Sequence, residues 1–312
     1  MRAVVVSSWQ QPPTVQELAD PQALPGEVLV RIQAAAVGHL DLDVAAGAFP
    51  VLPQLPFTPG VEAAGVVEQV PADSDVLPGT AVLVRGAGLG VVRNGSWAQL
   101  VSAPIEALEP MPAGLDFPLA AGFFVPTTTA AIALREAAAQ PGMRVLVTGA
   151  RGAVGSIAVQ LAARLGCEVF AATRSPVDYR PPLDGVRVVQ SGREAEQGVT
   201  EVDCIIDTIG GPELAARLNL VRPGGSCAVV GYSAGAESLL NLPAWLVANV
   251  RLIPINGIAH DALARELAPG LAADLANGTL RLPVEVFDLA HIADAMAAVR
   301  LGTIGGRAVI VP

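Results

Sequence analysis

The segment that most restricts this chain is V-L-V-T-G-A-R-G-A-V-G-S-I-A-V-Q-L-A, where an apolar run passes through Gly149, Gly152 and Gly155 straight into a stretch with helical apolar spacing. Read as strand, tight turn and helix, it leaves the first N–H groups of the helix without intrahelical partners. Those groups, at the positive end of the helix dipole, form a place for phosphates. Gly152 lets the backbone approach a pyrophosphate and Gly155 lets the helix pack closely on the strand, so phosphates are expected over Gly152, Ala153 and Val154. A glycine triplet alone also occurs as a plain turn; the flanking strand and helix are what point to a dinucleotide.

The surrounding residues repeat that rhythm. R-V-L-V-T, E-V-F-A-A-T, V-D-C-I-I-D-T and S-C-A-V-V-G are continuous apolar strands separated by helix-like stretches, as a parallel sheet covered on both faces requires. From Arg2 to about Val101 the pattern differs: short Val-rich runs such as E-V-L-V-R-I-Q-A-A-A-V are divided by Pro25-Gly26, Pro59-Gly60 and Pro78-Gly79, which reads as mostly β. The 312 residues fit two domains, and the fold class is α/β. The tail from about His260, with two helix-like stretches and a final strand R-A-V-I-V, fits either half by composition.

The end of the second apolar strand sorts the cofactor. A free ribose 2′-hydroxyl calls for an Asp or Glu about 20 residues past the glycines. This chain has Thr173-Arg174-Ser175 there, and a guanidinium with two hydroxyls suits a 2′-phosphate, which predicts NADPH rather than NADH. Arg174 as a solvated loop arginine is the alternative. The turns D-T-I-G-G and V-G-Y-S follow the fourth and fifth strands, at the carboxyl ends where such sheets bind ligands. Thr208, Ile209, Gly210, Gly231 and Tyr232 are expected along the dinucleotide, with Tyr232 alternatively plain packing.

Composition excludes several classes. A net charge of −10 with no basic run argues against a nucleic-acid partner. The three cysteines, Cys167, Cys204 and Cys227, lie beside or within apolar runs and read as reduced buried thiols, too few for a disulfide framework. The uncharged stretch 117–134 is interrupted by Pro118, Gly122 and Pro126 and reads as buried core rather than a membrane span. The amino terminus turns polar within a few residues and lacks a signal-peptide pattern, so a cytoplasmic location is expected.

Together with A-A-A-V-G-H-L-D-L-D-V-A-A-G-A-F, L-P-F-T-P-G-V-E-A-A-G-V-V and the closing G-G-R-A-V-I-V-P, these segments resemble the medium-chain dehydrogenase/reductase superfamily, and within it the zinc-independent quinone oxidoreductases. The resemblance implies a GroES-like β-rich catalytic domain over 1–122, a doubly wound Rossmann domain over 123–260, and a return to the catalytic domain over 261–312. It also implies a substrate cleft between the two domains and a homodimer formed through an edge strand of the Rossmann sheet, for which the stretch 248–255 is the candidate.

Zinc alcohol dehydrogenases of this superfamily hold catalytic metal at positions that align with Gly38, Val61 and Val125, and no side chain there offers a ligand atom, so no metal is expected. Leu40 stands where those enzymes relay the alcohol proton. The resemblance therefore implies hydride transfer to a quinone or an α,β-unsaturated carbonyl, whose developing negative charge needs only a hydrogen-bond donor. Two departures from the quinone reductase pattern are Gly38-His39 in place of Asn-Pro, and Phe49 in place of an aromatic hydroxyl.

His39 and Asp41 are the polar side chains singled out as catalytic candidates; for His39 the options are a cofactor phosphate contact or a donor to the substrate carbonyl oxygen, and the alternative for Asp41 is an N-cap of the helix D-L-D-V-A-A-G. Thr129 matches a family threonine near the nicotinamide, with a helix cap as the alternative. An enoyl reductase of a biosynthetic pathway and a non-catalytic NADPH-binding protein of crystallin or sensor type remain as alternative functions.

Overall fold

A computed structural model describes every residue except Gln10, Asp73 and 193–197. The chain divides into two compact units, Met1–Phe123 with Pro283–Pro312, and Phe124–Leu282.

The first unit is built on the long strand Glu27–Val37, nearly all of whose residues are buried. It pairs antiparallel with Glu62–Gln69, with Leu100–Pro104 and with Arg307–Val311, so the end of the chain completes a sheet begun near its start. Val4, Val30, Ile32, Val84, Trp97 and Ile310 form one apolar core beneath these strands, and the Trp97 indole N–H donates to the Ala36 carbonyl at 2.9 Å.

The second unit is a six-stranded parallel sheet. Its chain-order strands, Arg144–Val147, Glu168–Thr173, Arg187–Gln190, Val202–Asp207, Val221–Val229 and Arg251–Pro254, lie in the spatial order 3-2-1-4-5-6. This is the doubly wound order, whose reversal between the first and fourth strands opens the ligand crevice at their carboxyl ends. The helix Ala153–Arg164 follows the first strand at once, and Leu146, Phe170, Ile205 and Cys227 supply core from four neighbouring strands.

Three expectations change. The tail returns to the first unit at Pro283 rather than at 261. The helix Asp261–Ala276 stays with the parallel sheet because the buried Gln160 carboxamide donates to the Arg281 carbonyl at 2.8 Å and accepts from its N–H at 2.9 Å, while Arg164 pairs with Asp274 at 2.7 Å. The stretch 117–134 is not interrupted: Phe117–Glu136 is one helix with Pro126 inside it, and the Phe124 carbonyl accepts from the Thr128 hydroxyl at 2.7 Å. That helix is long and apolar enough to cross a membrane, but 67% of its apolar window is buried within the protein. Finally, no crossover helix joins the second and third parallel strands. Three prolines in S-P-V-D-Y-R-P-P-L-D-G deny the segment helical N–H donors, and only a 3₁₀ turn at Pro176–Asp178 forms.

The cysteines are free, with Cys204 and Cys227 buried and Cys167 partly so. Burial pushes the Cys204 thiol up to about 12 and raises the other two.

Candidate active site

The phosphate loop is shaped by what its glycines exclude. A Cβ on Gly155 would strike the Gly149 carbonyl oxygen, and one on Gly149 would strike the Thr208 hydroxyl, so both are demanded by packing between helix, turn and neighbouring strand. Gly152 differs, since a Cβ there would meet only the Gly149 oxygen, at 3.3 Å. The protein's own packing thus leaves open the space above Gly152, where the helix begins with Ala153 and Val154 and no side chain caps it. A diphosphate fits this cradle, because those N–H groups have no acceptor within the helix.

The fourth-strand turn lies beside that loop and is fixed from below. Asp207, fully buried, accepts from the N–H groups of Ile209 and Gly210 at 3.0 and 2.7 Å and from the Thr148 hydroxyl at 3.2 Å. The buried Arg217 pairs with its other oxygen at 2.9 Å and also donates to the Gly210 carbonyl. Thr208 completes the junction by donating from its hydroxyl to the Thr148 carbonyl at 2.8 Å. A Cβ on Gly231 would collide with the Thr208 carbonyl, so the fifth-strand turn packs directly on the fourth. Tyr232 is 49% exposed, which removes core packing as the reason for its presence. The geometry therefore gathers Gly152, Ala153, Val154, Thr208, Ile209, Gly210 and Gly231 at one end of the sheet.

Thr173 ends the second strand buried, Ser175 is half-buried and Arg174 is exposed, its carbonyl held by the Gln190 side chain at 2.9 Å. Sequence reasoning missed Tyr179 on the same connection. Its hydroxyl is buried and has no hydrogen-bond partner among the described residues, and burial pushes its pKa up to about 12, partly offset by the nearby Arg151 guanidinium of the phosphate loop. A buried phenol without a partner keeps a donor that a polar ligand could take up. The signal was the arginine within G-A-R-G together with a tyrosine in a proline-rich crossover. Thr129 sits inside the helix Phe117–Glu136, half-buried, so it caps no helix.

In the first unit the helix His39–Ala45 starts at Gly38, and Asp41 lies at its third position rather than at the N-cap. Its carboxylate reaches back to accept the Gly38 N–H at 2.8 Å and crosses to accept the Val61 N–H at 3.0 Å. Burial raises the Asp41 pKa to about 6, against the lowering effects of Arg307 and the two N–H groups. Beside it the buried Glu62 pairs with Arg307 at 2.9 Å. His39, one residue from Gly38, is exposed, yet desolvation and the Arg307 charge hold its pKa below the usual value, against the pull of Asp43. Leu40 is exposed, while Phe49 packs against the core.

None of the three positions at which the resemblance places zinc ligands offers one. Gly38, Val61 and Val125 carry no ligand atoms, and a Cβ at Gly38 would lie 2.7 Å from Arg307 Nη1, so the space for a side chain at that position is already filled. Among the described residues, no three His, Cys, Asp or Glu side chains gather into a group able to hold a metal.

Residues 24–113 match the alcohol dehydrogenase GroES-like domain and residues 153–269 the zinc-binding dehydrogenase domain. Acrylyl-CoA reductase AcuI of Ruegeria pomeroyi is 30% identical over 300 residues, covering 91% of this chain and 90% of that protein. The chain belongs to the medium-chain dehydrogenase/reductase superfamily. Within the superfamily it is similar to the quinone oxidoreductase of Thermus thermophilus, solved also in complex with NADPH, with a TM-score of 0.82, 29% identity and full coverage of both chains. It is similar as well to a thermostable alcohol dehydrogenase from Pyrobaculum aerophilum, with a TM-score of 0.85, 26% identity, and coverage of 100% of this chain and 99% of that one. Superfamily membership makes this chain an oxidoreductase with quinone oxidoreductase-like relatives, and its doubly wound sheet is of the Rossmann type.

Proposed function

We propose that this oxidoreductase uses NADPH to reduce a quinone or an α,β-unsaturated carbonyl compound without a metal ion. The observation that carries the reading is the pairing of an open phosphate cradle at 152–154 with a closed metal position at Gly38. Held in that cradle by the Ala153 and Val154 N–H groups, NADPH would supply hydride chemistry to an electron-poor carbon. Such a carbon spreads the incoming charge onto a conjugated oxygen, so the reaction proceeds without the Lewis acid that simple alcohol oxidation needs.

The chain's own residues then have defined roles. Ala153 and Val154 N–H groups hold the diphosphate, and the turn 208–210 with Gly231 and Tyr232 borders the dinucleotide, alongside Thr129. Thr173, Arg174 and Ser175 take the 2′-phosphate, with the unpartnered Tyr179 hydroxyl and the nearby Arg151 guanidinium as further contacts suited to an anion. His39 is assigned as the donor to the substrate oxygen, and Asp41 as the residue that holds its turn in place. A second substrate class, enoyl thioesters, is favoured by the similarity to an acrylyl-CoA reductase. The edge strand Arg251–Pro254 and the exposed helix Leu242–Ala248 are assigned to a homodimer contact.

The test is a screen of NADPH and NADH consumption with quinones, enones and enoyl thioesters, alongside elemental analysis of the purified protein. Preferential NADPH oxidation by one class, with no stoichiometric zinc, is the expected result. NADPH binding with no turnover in any class would point to the non-catalytic alternative, and stoichiometric zinc would overturn the metal-free mechanism.

A further inference from the structure

The Arg307 side chain is lodged between two glycines that come from distant parts of the sequence. A Cβ on Gly38 would lie 2.7 Å from its Nη1, and one on Gly122 would lie 2.8 Å from its Cγ. Neither glycine can carry a side chain while the arginine lies there. Around it are the buried Glu62 carboxylate at 2.9 Å and the fully buried Asp41, which feels its charge. Two carboxylates taken out of water beside each other repel and are costly unless a cation compensates them.

We propose that the Arg307 guanidinium is the resident cation of a metal-less site, filling the side-chain space at position 38 and fastening the turn 38–41 to Val61 and Glu62 through Asp41 and Glu62. In this role Arg307 is a positioning residue for His39. It comes from the last strand, so a group remote in sequence supplies the positive charge at a position where relatives with a liganding cysteine would hold metal. Its Nε–H is buried with no acceptor among the described residues, so the slot satisfies the guanidinium mainly by opposite charge and by shape. The charged groups that face the cluster are Glu62 beside Asp41, and Asp43 beside His39, besides Arg307 itself.

The experiment uses the full chain without substrate, so its outcome does not depend on the reductase reading. Arg307→Met removes the charge and keeps much of the bulk, and Arg307→Lys keeps the charge; each is made with and without Gly38→Ala. Thermal unfolding reads crowding, and NMR titration of the imidazoles, of which the chain has three, reads charge. Gly38→Ala is expected to lower Tm by several degrees, roughly 5 °C, in the otherwise native chain and by clearly less when combined with Arg307→Met, whose side chain is shorter. The His39 midpoint is expected to rise in Arg307→Met and to stay in place in Arg307→Lys. An equal Tm loss from Gly38→Ala in both backgrounds would overturn the filling of the slot. Equal His39 midpoints in the Met and Lys variants would overturn the electrostatic role, as would a Lys variant unable to fold; a Met variant that alone cannot fold supports it.

Discussion

Asp41 shows how one buried carboxylate sets a pH dependence. Its pKa rises from 3.8 to about 6 on folding, so the folded chain holds a proton that the unfolded chain has released between those values. Stability linked to this group therefore grows as pH falls from about 6 towards 4 and is lost as pH rises through about 6. Melting temperatures measured across that range should carry this component in the native chain and lack it in Asp41→Asn. The cysteines give a second check at this scale. In the native protein a thiol alkylating reagent should modify Cys167 slowly and leave Cys204 and Cys227 untouched until the chain unfolds. That Asp41 belonged to a helix start was legible from its place before an apolar-periodic run. Its position within the turn was not, because its second partner, the Val61 N–H, is brought in from a distant part of the chain.

Among elements, the turn after Val202–Asp207 depends most on a single pair. Asp207 and Arg217 are both buried, and the carboxylate orients the N–H groups of Ile209 and Gly210. Arg217→Ala leaves that carboxylate without its cation and should cost about 3–5 kcal/mol in denaturant unfolding. The strand-turn-helix at 144–164 was readable because neighbours in sequence make it. Arg217 was not, since nothing about an arginine in a short helix reveals that it turns inward. The proline-rich crossover was equally opaque: apolar periodicity marks strands and helices, and a segment with neither can still be ordered enough to bury Tyr179. Phe117–Glu136 erred in the other direction, because its prolines argued for interruption while its surroundings keep it helical.

For the whole molecule, the parallel sheet ends at Arg251–Pro254, an edge with no further strand among the described residues, next to a helix whose Leu246 and Val247 are 70% and 85% exposed. An unpaired edge beside exposed aliphatic side chains is a natural seam for a second copy. Light scattering should give twice the chain mass, and Leu246→Glu with Val247→Glu should shift it towards the single chain while the parallel sheet remains folded. The α/β class, a mostly β first half and a covered parallel sheet were legible from pattern alone, whereas the GroES-like architecture and the place of the tail came by resemblance; the tail entered its sheet later than expected, because Gln160 and Arg164 keep the preceding helix with the parallel sheet.

The pairing of Arg307–Val311 with residues 35–37 has a consequence for how the protein is made. On the ribosome, the parallel-sheet unit has all its strands once Leu282 has emerged, whereas the segment translated before it must wait, one border of its sheet unfilled, until 307–311 has followed. Synthesis order and completion order of the two units are thus reversed, and a stop introduced between 283 and 307 would strand the earlier-made unit rather than the later one.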